Sequence, residues 1–437
     1  MKKLLWLLPV LFALSCKSPA EKEENKNLNK FAEDYVRLAL TIGQYDGDFV
    51  DAYYGPDSLK PKQAVGKDFP KDSLLASVNS LMNQLSPVAH NSPIDSNKNR
   101  ANWIYDQLRA FNRRIRIFSG EYESFDAESE DLFGVVAPVQ DEAFFKTSLA
   151  ALDSILPGKG NVNDRFQKLA NHFIIPKNKL EPVMNAAIAE ARKRTKAHYQ
   201  LPANESFTLE FVTHKPWSGY NWYKGNYKSL VQINTDLNIF IDRAIDVGSH
   251  ESYPGHHVYN MLLEKNLYRD RGWVELSMYP LFSPQSLIAE GSANYGIEVA
   301  FPGDDKVKFT RAVLLPLAGL DTAGIAIYFK ALAIRGKLNY VRNEVARGLM
   351  NNNMNRSKAL SWLKKYGLMN DESAEKSLDF IKKYRSYVIN YNYGQDLVKN
   401  YIEQNGGTDK APDKRWQLFG NLLSNEVSPA SLVKPKN

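Results

Sequence analysis

Apolar and polar positions along the chain follow two textures. Over residues 28–203 apolar residues recur at three- and four-residue spacing, as in "LNKFAEDYVRLALTI" (28–42), "ANWIYDQLRAFNRRIRIF" (101–118) and "KLEPVMNAAIAEARKRTKAHY" (179–199). This period predicts amphipathic helices. Joints such as "YYGPDS" and "PGKGNVND" separate them. Over residues 206–236 the pattern shortens and partly alternates. "SFTLEFVTH" and "SLVQINTDL" read as two strands joined by "KPWSGYNWYKGNY". Helical texture then resumes to the C-terminus. "LLPLAGLDTAGIAIYFKALAIRG" (314–336) is apolar enough for a buried helix or helix pair, but Pro316, Gly319 and Asp321 interrupt it, so it is not read as a membrane span. The expected fold is mainly α with a small β-sheet, with a helical N-terminal part at 28–203 and a second part at 204–437.

The extreme N-terminus has its own pattern. Lys2 and Lys3 precede an apolar run over 4–14, followed by Ala13-Leu14-Ser15-Cys16. This resembles a bacterial lipoprotein signal (1–16) with Cys16 as the lipid anchor. The polar "KSPAEKEENKN" (17–27) reads as a flexible tether. The expected location is the bacterial cell envelope, periplasm-facing or at the cell surface, on a membrane reached through that anchor. Cys16 is the only cysteine, so an intrachain disulfide, a thiolate zinc site and a cysteine nucleophile in the mature body are excluded. Any metal must be held by His, Asp or Glu. The net charge of +7 includes two lysines that leave with the signal, and no basic block carries interleaved aromatics. Nucleic acid is therefore not an expected partner, and no protein partner is inferred.

Three of the seven histidines lie in "VGSHESYPGHHVYN" (247–260). The stretch begins like the zinc motif His-Glu-x-x-His, in which two histidines one turn apart share a helix face. Pro254 occupies the place of the second histidine. It cannot donate to the His250 carbonyl, and Gly255 allows the backbone to bend. If two residues loop out, His256 moves into the ligand position. His257 is the rival, roughly 10 Å further along an undistorted helix. His256 is favoured as ligand, with His257 beside the metal site or facing substrate. The alternative is a turn that happens to hold three histidines. Glu290 supplies a carboxylate within the small-residue, apolar "LIAEGSANYGIE", where burial is costly unless a metal or partner compensates. Asp246, four residues before His250, is the candidate to orient its imidazole.

His250-Glu251-x-x-Pro254-Gly255-His256-His257 followed by Glu290-Gly291-x-Ala293-x-Tyr295 resembles the bacterial DUF885 family, which is similar to gluzincin-type zinc metallopeptidases. "FVDAYYGPDSL" (49–59), "SLVQINTDL" and "NYNYG" (390–394) add weaker likenesses, so the resemblance is scattered over most of the mature chain. Ser292, Tyr259 and Asn390 depart from the family pattern. The resemblance implies a zincin-like α-helical metallopeptidase with a cleft, one Zn²⁺ on His250, His256 and Glu290, and a peptide substrate. Glu251 is then the general base beside the metal-activated water. Tyr391, in the position of the family's tyrosine, is the candidate oxyanion donor, and His257 the second. The strand "SLVQINTDL" is the expected edge for an extended peptide, with Trp217, Tyr220, Trp222 and Tyr223 lining the cleft. Two other readings use the same residues: a zinc hydrolase of a non-peptide amide, and a non-catalytic envelope lipoprotein that binds peptide or metal. The second would have no need of a base at Glu251.

Overall fold

The computed structural model describes residues 19–62, 66–91, 96–215 and 217–433. Cys16 and the signal segment lie outside the described residues.

Among the described residues the chain is mainly helical with two small sheets. The first helix, Pro19–Gly43, begins inside the stretch read as a tether. That stretch is rich in Glu and Lys, both good helix formers, and acidic residues favour a helix N-terminus. Beyond it, Leu28, Ala32, Tyr35, Val36, Ala39 and Ile42 are buried, the stripe that the sequence spacing predicts. They join one apolar core that continues through residues of both halves of the chain.

Two of the connections that cross the 203/204 change of texture bear on the site. Strand β1 (Val50–Tyr53) pairs antiparallel with β5 (Met278–Pro280), with Val50 opposite Pro280. Arg100, in the Ser96–Phe118 helix, grips both carboxylate oxygens of Glu275 in a buried pair. The N-terminal helices are thereby fixed to the segment that feeds the Pro284–Ala300 helix.

The main sheet has three strands where the sequence pattern suggested two. These are β2 (Ser206–Val212), β3 (Gly219–Gly225) and β4 (Lys228–Asn234), in the order β2-β4-β3. β4 runs parallel to β2 and antiparallel to β3. The glycines and aromatics of "KPWSGYNWYKGNY" read as a joint, but Tyr and Trp alternate there and favour a pleated surface. The consequence is a correction: "SLVQINTDL" lies in the centre of the sheet, and β2 and β3 are its two outer strands.

The region 314–336 forms a short Leu315–Ala318 helix, a left-handed turn at Gly319 and the Ile325–Leu338 helix. Leu317 and Ile327 are exposed there. Among the described residues no helix is long and apolar enough to cross a membrane.

The Pro284–Ala300 helix is buried almost all round. It crosses the Ile389–Gln404 helix at two glycines: a Cβ on Gly291 would lie 2.4 Å from the Gly394 carbonyl group. Only glycine permits this approach, which brings Glu290 and Tyr391 to one place.

Candidate metal centre

The helix Ile241–Glu251 ends where Pro254 cannot continue it. The Gly255 amide donates to the Ser249 carbonyl at 3.1 Å, six residues back instead of four. Two residues are thus looped out, and the His256–Leu263 helix starts directly afterwards. A Cβ on Gly255 would lie 1.9 Å from the His250 carbonyl oxygen. The bend therefore requires glycine.

This geometry gathers three ligand atoms. His256 Nε2 is 3.1 Å from His250 Nε2, and Glu290 Oε2 is 3.3 Å and 3.7 Å from the two nitrogens. Among the described residues these three side chains form the group able to hold a metal ion. Ligand atoms about 2.05 Å from a tetrahedral zinc ion are about 3.3 Å apart. The cluster matches that spacing. Glu290 Oε2 is buried and accepts no hydrogen bond, whereas Oε1 accepts from the Tyr387 hydroxyl at 3.1 Å. An orphaned carboxylate oxygen facing two imidazole lone pairs is the donor set that a divalent cation satisfies. Burial raises the Glu290 pKa, but the imidazoles outweigh it and hold the carboxyl well below the usual range.

The tautomer of His250 follows from its other nitrogen. Nδ1 meets Asn294 Oδ1 at 3.0 Å, and Asn294 Nδ2 donates to the Tyr391 carbonyl at 2.8 Å. The amide is fixed with its oxygen toward His250, so neutral His250 carries its proton on Nδ1 and turns a lone pair on Nε2 to the cluster. This corrects the role expected of Asp246. No hydrogen bond joins Asp246 to His250: one carboxylate oxygen is buried without a partner, and Lys306 is 3.9 Å away.

His257 also departs from expectation. It is fully buried, with Nδ1 2.8 Å from Ser229 Oγ and Nε2 3.2 Å from Glu205 Oε2. Glu205 accepts further from the Tyr253 hydroxyl and from Arg192. His257 therefore belongs to a brace behind the bend, and neither of its nitrogens is free for metal or substrate.

Glu251 lies beside the cluster, near the start of β3, where Gly219 leaves room for its carboxyl: a Cβ there would be 3.0 Å from Oε1. Its carbonyl accepts from Asn221 on the same strand at 2.6 Å. Burial pushes its pKa up to about 7, with His250 pulling it down and Glu290 pushing it up. A cation on the cluster would draw it lower. Burial and the nearby Glu290 and Glu251 carboxyls raise the pKa of the Tyr391 phenol well above its ordinary value.

The sequence matches no family model, and no curated protein matches it. Solved structures resemble its fold. A protein of Colwellia psychrerythraea, provisionally described as a lipoprotein, aligns over 83% of this chain and 68% of its own at 12% identity, with a TM-score of 0.53. A similarly described protein of unknown function from Shewanella oneidensis gives 0.42 at 12% identity over 81% and 73%. A carboxypeptidase from Pyrococcus furiosus gives 0.44 at 12% identity over 96% and 95%.

Residues outside the sequence motif complete the site. Asp51, on β1, accepts from the Tyr220 hydroxyl and interacts with His256 and Glu290. Burial pushes its carboxyl up to about 6, which the Tyr220 hydrogen bond and His256 restrain. Tyr220 packs in tilted geometry against Trp217 and Trp222, at ring distances of 5.5 Å and 4.6 Å. Tyr223 points the other way, into the core, and donates to Glu264. Asn294 and Tyr387 had a signal in the sequence, each four helix positions from a named site residue (Glu290 and Tyr391). Asp51 had only its place in "FVDAYYGPDSL".

Proposed function

We propose that this protein is a zinc-dependent metallopeptidase of the zincin-like, DUF885-related type, carried as an envelope lipoprotein. The observation that carries the reading is Glu290 Oε2, buried without a donor and facing His250 Nε2 and His256 Nε2 at zinc-ligand spacing. The lipid anchor rests on the Cys16 leader pattern.

Bound zinc would supply Lewis acidity to a water and to the scissile carbonyl. The remaining roles belong to the chain. Glu251, buried next to His250, takes the proton of the attacking water and passes it to the leaving amine. Tyr391 donates its hydroxyl to the developing oxyanion. β3, with Gly219 against Glu251, is the edge along which an extended peptide adds as a further strand. Trp217, Tyr220 and Trp222 form its aromatic side. Asn294 and Tyr387 hold His250 and Glu290 in place.

The test is metal content and turnover of the purified protein beside its Glu251→Gln variant. About one equivalent of zinc in both, with hydrolysis of a mixed peptide pool lost only in the variant, is the expected result. An intact protein that takes up no stoichiometric metal would overturn the reading. Zinc uptake with hydrolysis of small non-peptide amides but no peptides would move it to the other substrate class.

A further inference from the structure

Ser286 and Glu290 lie four residues apart on the Pro284–Ala300 helix, so they share one face. Tyr279 from β5, Tyr387 from the Arg385–Val388 turn and Asn390 from the Ile389–Gln404 helix meet that face. All five side chains are buried. Their distances join them in one row. The Tyr279 hydroxyl is 3.2 Å from Ser286 Oγ, Ser286 Oγ is 3.1 Å from the Tyr387 hydroxyl, and that hydroxyl is 3.1 Å from Glu290 Oε1. Asn390 Nδ2 reaches Ser286 Oγ at 3.5 Å.

The available protons fix the direction of this row. A carboxylate only accepts, and a tyrosine or serine hydroxyl has one proton to donate. Tyr387 gives its proton to Glu290 Oε1, so it accepts from Ser286. Ser286 then has no second proton, and it accepts from Tyr279 and from the Asn390 amide. Every hydroxyl in the row points toward Glu290, and hydrogen bonds linked in this way strengthen one another. The Tyr387 ring is held by Phe133, Phe282 and Tyr391, at centroid distances of 6.0, 5.9 and 5.8 Å. The far end of the row is held by the β1–β5 pair, in which Tyr279 lies opposite Ala52.

Glu290 therefore has one oxygen engaged and one open. Oε1 accepts from Tyr387, whereas Oε2 has no donor and faces the two imidazoles. A carboxylate with both oxygens free is able to bind a cation through both. That would fill the place a catalytic zinc site keeps for water. We propose that Ser286 and Tyr279, acting through Tyr387, are positioning residues that restrict Glu290 to ligation through Oε2 and so keep a place at the metal open for the attacking water. This rests on the metallopeptidase reading and adds how its centre stays open.

The experiment uses the full-length protein and its Tyr387→Phe, Ser286→Ala and double variants. Zinc affinity is measured by competition with a chromophoric chelator, and the visible spectrum is recorded with cobalt in place of zinc. Tyr387→Phe should weaken zinc binding on the order of tenfold, and Ser286→Ala about threefold. Because Ser286 acts through the Tyr387 hydroxyl, Ser286→Ala should cost nothing further in the Tyr387→Phe background. The cobalt bands should weaken in Tyr387→Phe, as a second carboxylate oxygen enters a four-coordinate site. Tyr279→Phe removes one hydroxyl from an unchanged ring. It should show the same dependence on Tyr387, and it carries the test should Ser286→Ala fail to fold. Unchanged zinc affinity and cobalt spectrum in Tyr387→Phe overturn the proposal. So does a Ser286→Ala loss of equal size with and without the Tyr387 hydroxyl, which is the result a packing role would give. In both cases zinc still binds and the metallopeptidase reading stands. The expected coupling in a protein that cleaves no peptide supports the proposal and removes the peptidase reading. A protein that binds neither zinc nor cobalt overturns both.

Discussion

His250 Nδ1 and Asn294 Oδ1 meet at 3.0 Å, and this contact decides which imidazole nitrogen faces the metal centre. Asn294→Leu removes the acceptor and frees the ring to rotate and change tautomer. Zinc affinity, measured by competition with a chromophoric chelator, should fall on the order of tenfold to a hundredfold. Asn294→Asp keeps an acceptor and should hold affinity near that of the unsubstituted protein. Equal affinity in all three proteins would remove Asn294 from the metal site.

His256 and His257 are adjacent in sequence and do different things. His256→Ala should abolish stoichiometric zinc binding with little effect on the metal-free protein's unfolding. His257→Ala should retain zinc-binding geometry but destabilise the fold by about 3 kcal/mol, because it leaves buried Glu205 short of a donor. Zinc titration and urea unfolding of both variants separate the two roles. Loss of zinc in a well-folded His257→Ala protein would reverse the assignment.

The parts of this site that could be read from sequence are those that depend on spacing along one helix or on rare residue types. His250, His256 and Glu290 carry metal-binding chemistry, and the missing N–H of Pro254 is itself the signal of the loop-out. Contacts between elements were not legible. Asp246 is the right distance along its own helix, but Asn294 reaches His250 from another. The place of His257 depends on Glu205 and Ser229, which come from distant parts of the chain to lie behind it. β3 was hidden because glycine and aromatics mark both turns and edge strands. The helical stripes around the core were legible because burial of one face repeats at 3.6 residues regardless of partner.

Two glycines set the backbone positions that the ligands need. Gly255→Ala would force a methyl into the His250 carbonyl, and Gly291→Ala would push the Pro284–Ala300 helix off Gly394. Neither neighbour is the end of a flexible side chain, so the backbone itself must shift. Each substitution should cost about 3 kcal/mol or more in denaturant unfolding and weaken zinc binding. Gly303→Ala, at a surface turn with nothing within 4 Å of a Cβ, serves as a control. Its positive φ should make it mildly destabilising without altering zinc affinity. Ordinary zinc binding in Gly255→Ala would show that the ligand positions do not depend on this bend.

The brace behind the bend should give the protein an acid-sensitive component of stability. Burial raises the Glu205 pKa, but hydrogen bonds from His257, Tyr253 and Arg192 outweigh it and hold the carboxyl at about 2. A carboxylate whose folded pKa is depressed binds fewer protons than its unfolded counterpart. Its contribution is therefore complete above the unfolded value, roughly 4.3, and is lost as pH falls toward the folded one. Because solvent screens the partly exposed Arg192, the contribution at neutral pH is on the order of 1–2 kcal/mol. Glu205→Gln preserves the shape but not the charge. Unfolding free energies of the two proteins should differ between pH 6 and 7, and the difference should shrink steadily from about pH 5 to pH 2. A gap that stays constant over that range would mean that the glutamate acts through packing alone, and a gap that widens in acid would contradict the sign of the shift.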